Sequence, residues 1–200
     1  MATIYLIRHG QASFGKENYD QLSPRGWEQG RVLGRWLAGK VTPNAVFGGN
    51  MERHRETVEA IASGYGDALP DMQAVDGFNE FDHTQVVERL RPEWQDRERM
   101  ARDLAAFPKP ARAFQQVFEE AMQRWVSGGH DHEYTESWQA FRQRVITSLE
   151  QLIEYADGGE TLVSTSGGPI AVIAQHLLDL AVFNNYSHLE AEDPSLVTFR

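Results

Sequence analysis

The sequence predicts an α/β protein: a three-layer α/β/α sandwich on a mostly parallel central sheet, with a helical cap inserted between strands. Three observations carry that expectation. Short β-rich runs alternate with helical patterns along the chain, the order that parallel sheets require. Two of those runs, residues 3–7 and 160–165, end in polar tips containing glycine, as strands opening onto a ligand crevice do. The 200 residues are 41% hydrophobic, with no internal repeat or low-complexity tract, so residues 1–200 read as one domain able to bury a core.

The elements follow in order. Residues 3–7 (TIYLI) form a first strand cut off by Arg8-His9-Gly10. After a polar, turn-like stretch over 11–22, Ser23-Pro24 opens a helix, with serine as N-cap and proline at the first helical position. Its apolar stripe reads Trp27, Val32, Leu33, Trp36 and Leu37, and Gly39 ends it. Residues 45–47 before Gly48-Gly49 form a second strand, 51–62 a helix, and 75–78 a weak third strand. Helical periodicity over 84–128 breaks at Phe107-Pro108-Lys109-Pro110, which places the cap insertion at about 82–134. A helix over 135–156 carries the stripe Trp138, Phe141, Val145, Leu149, Leu152 and Ile153. Residues 160–165 form a strand, 169–180 an apolar helix and 196–199 a weak last strand.

Composition narrows the chemistry. With no cysteine, thiolate metal sites, iron–sulfur clusters and cysteine nucleophiles are excluded. A net charge of −10 argues against nucleic acid or an anionic membrane as partner. No apolar run reaches the length of a membrane span and the first residues are unlike a signal peptide, so a cytoplasmic location is expected. The charge is uneven. Residues 1–55 hold eight Lys/Arg against four Asp/Glu, and residues 56–200 eleven against twenty-five. An anion site therefore belongs in the first quarter.

Both polar tips suit an anion. Gly167-Gly168 before Pro169 leaves backbone N–H groups at a helix N-terminus, and Arg8 offers a planar cation for phosphate oxygens. His9, beside a glycine that permits close backbone approach, could act as a nucleophile. Arg53 could instead be a surface ion-pair partner of Glu52, Glu56 or Glu59, Glu80 a solvated acid beside Asp76 and Asp82, and Ser166 a plain helix cap. The run His130-Asp131-His132-Glu133 carries metal-ligand residue types, but it follows Ser127-Gly128-Gly129 in an apparent loop without paired distant ligands; no metal is expected.

Leu6-Ile7-Arg8-His9-Gly10-Gln11 resembles the signature of the histidine phosphatase (phosphoglycerate mutase-like) superfamily. Further matches follow in register: residues 20–30 (DQLSPRGWEQG) are similar to its "LT-x-x-G-x-x-Q-A" helix, and Arg53-His54-Arg55-Glu56-Thr57 to its "R-x-x-x-T" segment. Phe78-Asn79-Glu80 resembles its "L-x-E" acid, Glu136-Ser137 its "E-S" helix start, and Thr165-Ser166-Gly167-Gly168 its "S-H-G-G". The resemblance implies a phosphatase acting on a small phosphorylated substrate through a phosphohistidine on His9. Arg8, Arg53, Ser166 and Gly167 would bind the phosphoryl group and Glu80 would serve as acid and base, with no cofactor. The alternatives it leaves are a phosphoglycerate-type mutase using the same intermediate, or a catalytically impaired phosphate-ligand binder. Three positions depart from the pattern. Ser166 stands where the family has its second histidine, with His54 a candidate to substitute. Gly49 stands where serine is frequent. Gly15 lies near a usual pocket asparagine, a part open to Ser13 or Asn18.

Overall fold

The computed structural model describes residues 2–13, 20–156 and 158–178. Four parallel strands, β1 (Thr3–Arg8), β2 (Pro43–Gly48), β3 (Met72–Ala74) and β4 (Glu160–Thr165), form a sheet in the order β1-β4-β2-β3. Strand β4 is inserted between β1 and β2, so the tips of β1 and β4 lie side by side: Arg8 pairs with Thr165. Side chains alternate across the sheet as the pleat demands. Ala45, Phe47 and Val163 enter one hydrophobic cluster, with Ile4 and Leu6 packed on it. Val46 and Leu162 enter a second, with Tyr5 and Ile7. A core on each face gives the expected three layers.

Helices α1 (Pro24–Leu37) and α2 (Glu52–Tyr65) cover one face. Ser23 caps α1 by accepting from the Gly26 amide, with Pro24 at the first position, as expected. The apolar stripe expected on α1 is only partly its buried face: Leu37 is buried and Leu33 packs on the second cluster. Val32 and Trp36 are 51% and 56% exposed, while Gly26, Gly30 and Gly34 are buried. A Cβ on Gly30 would come within 2.4 Å of the Ala60 Cβ, and one on Gly34 within 2.1 Å of the Ile61 carbonyl oxygen. Two backbones in near contact leave no room for side chains, so glycine spacing overrides the hydrophobic period.

The other face carries α6 (Trp138–Tyr155) and α7 (Gly167–Leu178). The expected stripe of α6 is buried or partly buried from Trp138 to Leu152, but Ile153 is 52% exposed. Between β3 and α6 stand α3 (His83–Leu90), α4 (Arg97–Ala105) and α5 (Pro110–Val126). They share the same cluster, through Val86 and Val87 of α3, Met100 and Leu104 of α4, and Ala121 and Trp125 of α5, with Phe78, Phe81, Trp94 and Phe141. Pro110 opens α5, the break expected at 107–110, and a 3-10 turn over Pro92–Gln95 adds a second break.

Two boundaries are corrected. The third strand is Met72–Ala74, and Asp76–Phe78 is a 3-10 turn, because the chain after β3 turns back over the strand tips rather than extending the ladder. The helix expected over 51–62 runs to Tyr65 and ends at Gly66, whose φ of 91° only glycine adopts freely. The strand expected over 196–199, the last two residues of the helix over 169–180, Gly15 and Asn18 lie outside the described residues.

Candidate active site

The site is built where β1 and β4 end. The His9 amide donates to the Thr165 carbonyl at 2.9 Å, extending the ladder one step beyond the strand. The His9 ring is fixed by its own loop: Nδ1 lies 2.7 Å from the Gly10 carbonyl. A carbonyl only accepts, so Nδ1 carries the proton and Nε2 presents a lone pair. The Gly10 amide donates to Thr57 Oγ1, and that hydroxyl donates to the Arg53 carbonyl at 2.7 Å. One threonine thus joins the His9 loop to the turn of α2 that bears Arg53. Burial lowers the His9 pKa to about 4, opposed by the Gly10 bond and assisted by the charges of Arg53 and Arg8. At neutral pH the imidazole is uncharged, the form able to attack.

The two arginines differ. Arg8 is exposed, and a Cβ on Gly167 would lie 3.9 Å from its Nε. Arg53 is buried at 6% exposure and its Nη1 donates to Asp20 Oδ1, while Asp20 Oδ2 accepts from the Glu52 amide. None of Glu52, Glu56 or Glu59 is its partner in that bond. Asp20 belongs to a motif legible in the sequence, but its pairing across 33 residues had no local signal.

Glu80 is brought to the same place from the loop after β3. Its Oε2 accepts from the Gly168 amide at 3.1 Å, at the N-terminus of α7, and Oε1 from the Phe81 amide at 3.3 Å. A Cβ on Gly168 would come within 2.1 Å of Oε1, so glycine admits the carboxyl. Burial raises the Glu80 pKa above its ordinary value, although the two amides and the charges of Arg53 and Arg8 pull the other way. Such a carboxyl is suited to hold a proton and release it. His83, at the start of α3, is also lowered by burial and feels Arg53; the sequence offered no reason to select it.

Ser166 is fully buried, and its hydroxyl lies 2.7 Å from His54 Nε2 rather than capping α7. His54 is equally buried, with its ring centroid 5.8 Å from that of His9. Burial, then the charges of Arg53 and His9, lowers its pKa to about 3. Its Nδ1 has no hydrogen-bond partner of good geometry, although the Gly49 backbone is near enough to favour the protonated ring slightly. A Cβ on Gly49 would come within 2.4 Å of that Nδ1. Two of the departing positions, Gly49 and Ser166, therefore form one packed cluster with His54: glycine makes the space, histidine fills it, and serine bonds the ring.

With a histidine, two arginines and a carboxyl converging on paired strand tips, comparison with known proteins is decisive. The histidine phosphatase superfamily (branch 1) matches residues 4–199. The chain belongs to that superfamily. No curated protein matches it in sequence. Among solved structures, this histidine phosphatase superfamily member is similar in fold to phosphoglycerate mutase from Bacillus anthracis str. Sterne (16% identity, 88% of this chain and 79% of that one, TM-score 0.60). It is similar also to phosphoserine phosphatase from Entamoeba histolytica in complex with 3-phosphoglyceric acid (17%, 90% and 81%, TM-score 0.57). A third likeness is to alpha-ribazole phosphatase from Shigella flexneri (21%, 88% and 80%, TM-score 0.53).

The remaining candidates lie elsewhere. In the segment 130–133, His130 Nδ1 and Glu133 Oε1 are 3.1 Å apart and Glu133 is paired with Arg124 at 2.7 Å, which ties the carboxylate to a cation. Among the described residues no group of three or more His, Asp or Glu side chains is placed to hold a metal, and no helix is long and apolar enough to cross a membrane.

Proposed function

We propose that this protein is a phosphatase that hydrolyses a small phosphorylated substrate through a phosphohistidine on His9. The observation that carries it is the fixed ring of His9: Nδ1 is committed to the Gly10 carbonyl, so the lone pair on Nε2 is the one available to a phosphorus atom. Nε2 attacks phosphorus as the bond to the leaving oxygen breaks, and that oxygen takes the proton of Glu80. Water then attacks the phosphohistidine, Glu80 accepts its proton, and inorganic phosphate leaves with the ring again neutral. Arg8, Arg53 and the N-terminus of α7 at Gly167 balance the charge on the phosphoryl oxygens. Ser166 contributes from behind that cradle through its bond to His54. No step calls for a metal or cofactor, and the acidic remainder of the surface confines anion binding to the crevice rather than inviting nucleic acid or membrane.

The test is turnover in the presence of chelator, with an aryl phosphate and a panel of phosphorylated metabolites, following released phosphate and acid-labile labelling of the protein. The expected result is phosphate release with label on His9, both lost in His9→Ala. Isomerised phosphoester without phosphate release would make the protein a mutase. Ligand binding without turnover or label would make it a binder.

A further inference from the structure

Glu80 lies just beyond the 3-10 turn Asp76–Phe78, outside any strand or helix, and all four carbonyls that precede it are captured; that of Asp76 also accepts from the Asn79 amide at 3.0 Å. Arg144 Nη1 faces three of them, the oxygens of Asp76, Gly77 and Asn79, at 3.2, 3.0 and 2.9 Å, its two hydrogens shared among them. The fourth, Phe78, accepts from the buried Thr165 hydroxyl at 2.7 Å. Thr165 is also the residue whose carbonyl receives the His9 amide. The other edge of the Arg144 guanidinium is held by Glu136 through Nε at 2.6 Å and Nη2 at 3.0 Å, and its face lies 4.8 Å from the Phe141 ring centroid. Phe141 is fully buried. A planar cation gripped by a bidentate carboxylate and an aromatic face can move very little.

From this geometry we infer that Arg144, oriented by Glu136, is a positioning residue that sets the Glu80 carboxyl against the leaving group. This rests on the assignment of Glu80 as the general acid. Lysine cannot replace Arg144, because one ammonium cannot serve the carboxylate and the three carbonyls from opposite edges.

The leaving group supplies the test. A departing alkoxide needs a proton, whereas a dinitrophenolate leaves without one. kcat/KM reports the first phosphoryl transfer, so it is measured with 2,4-dinitrophenyl phosphate and with an alkyl phosphate turned over by the wild type. Arg144→Lys should lose about 30- to 100-fold on the alkyl ester and less than about threefold on the activated one. Glu136→Gln should lose less, with the same selectivity, and serves if Arg144→Lys does not fold. Adding Glu80→Gln to Arg144→Lys should cost the alkyl ester no more than Glu80→Gln alone. Equal losses on both esters, or no loss on either, would overturn the inference. Glu80→Gln that itself shows no leaving-group selectivity would instead overturn the assignment of the acid.

Discussion

His9 and Glu80 meet in one crevice but are held there in different ways. His9 prolongs a strand: its amide continues the β1–β4 ladder and its ring bonds to the carbonyl of the next residue. Glu80 ends an irregular loop whose shape is imposed from outside, by Arg144 from α6, Thr165 from β4 and the Gly168 amide of α7. The strand tip inherits rigidity from the ladder as far as the His9 amide, and beyond it the Gly10 amide takes one side-chain partner, Thr57. In the Glu80 loop the Asp76 carbonyl has a local partner in the Asn79 amide, while those of Gly77, Phe78 and Asn79 borrow donors from side chains distant in sequence. The two halves should therefore fail differently when disturbed.

The largest effect separates them by chemistry. Glu80→Gln should lower kcat/KM for an alkyl phosphate by about 10²-fold while sparing an activated aryl ester, because only departure of the leaving oxygen is impaired. The His9 half has no such selectivity. Thr57→Val leaves the Gly10 amide without its acceptor and should cost about tenfold on both esters alike, together with roughly 1–3 kcal/mol of stability in urea titrations. A selective loss in Thr57→Val would break the comparison.

The buried cluster behind His9 offers a sharper probe. Ser166→His alone puts a second ring against His54, already 2.7 Å from Oγ, and should destabilise the fold by about 1–3 kcal/mol. Combining it with His54→Ser exchanges the two side chains and should recover most of that loss in thermal melts. If the double variant is no better than the single, the space is not shared as the packing indicates.

Acid should act on the same half. The His54 pKa is about 3 in the folded protein against an ordinary 6.5, so the unfolded chain binds more protons between those limits. Stability is then retained above pH 6.5 and lost as pH falls towards 3, at a slope nearing ~1.4 kcal/mol per pH unit. His54→Phe should flatten that slope in denaturant titrations against pH. In activity, His9 must be neutral, so kcat/KM on the alkyl ester should rise through pH about 4. It should fall only above the raised pKa of Glu80. The smallest effect is expected on α1, where Trp36→Gln on the exposed face should change stability by about 0.5 kcal/mol or less.

The contrast between the halves also explains what could be read in advance. Arg8, His9, Gly10 and the 165–168 tip are contiguous in sequence, so their chemistry was visible as motifs. Arg53 and Thr57 are one helical turn apart, a spacing the sequence also displays. Glu136 and Arg144 lie eight residues apart, but their role depends on carbonyls 65 to 68 residues away, and a carbonyl leaves no mark in a side-chain pattern. The stripe on α1 failed for the complementary reason. Beside Leu37, its buried residues are glycines, which carry no hydrophobic signal and matter only when a second backbone is present to approach them.

By itself, then, the sequence determined the alternation of strands and helices, the polar strand tips and the anion-suited quarter of the chain. Local propensity, period and charge are properties of neighbouring residues. The tertiary structure decided which arginine is buried on Asp20, that the Ser166 hydroxyl meets His54 in space left by Gly49, and that the loop bearing Glu80 is clamped by Arg144. Each of those outcomes is a contact between distant segments, settled by close packing and by the need of buried polar groups for partners.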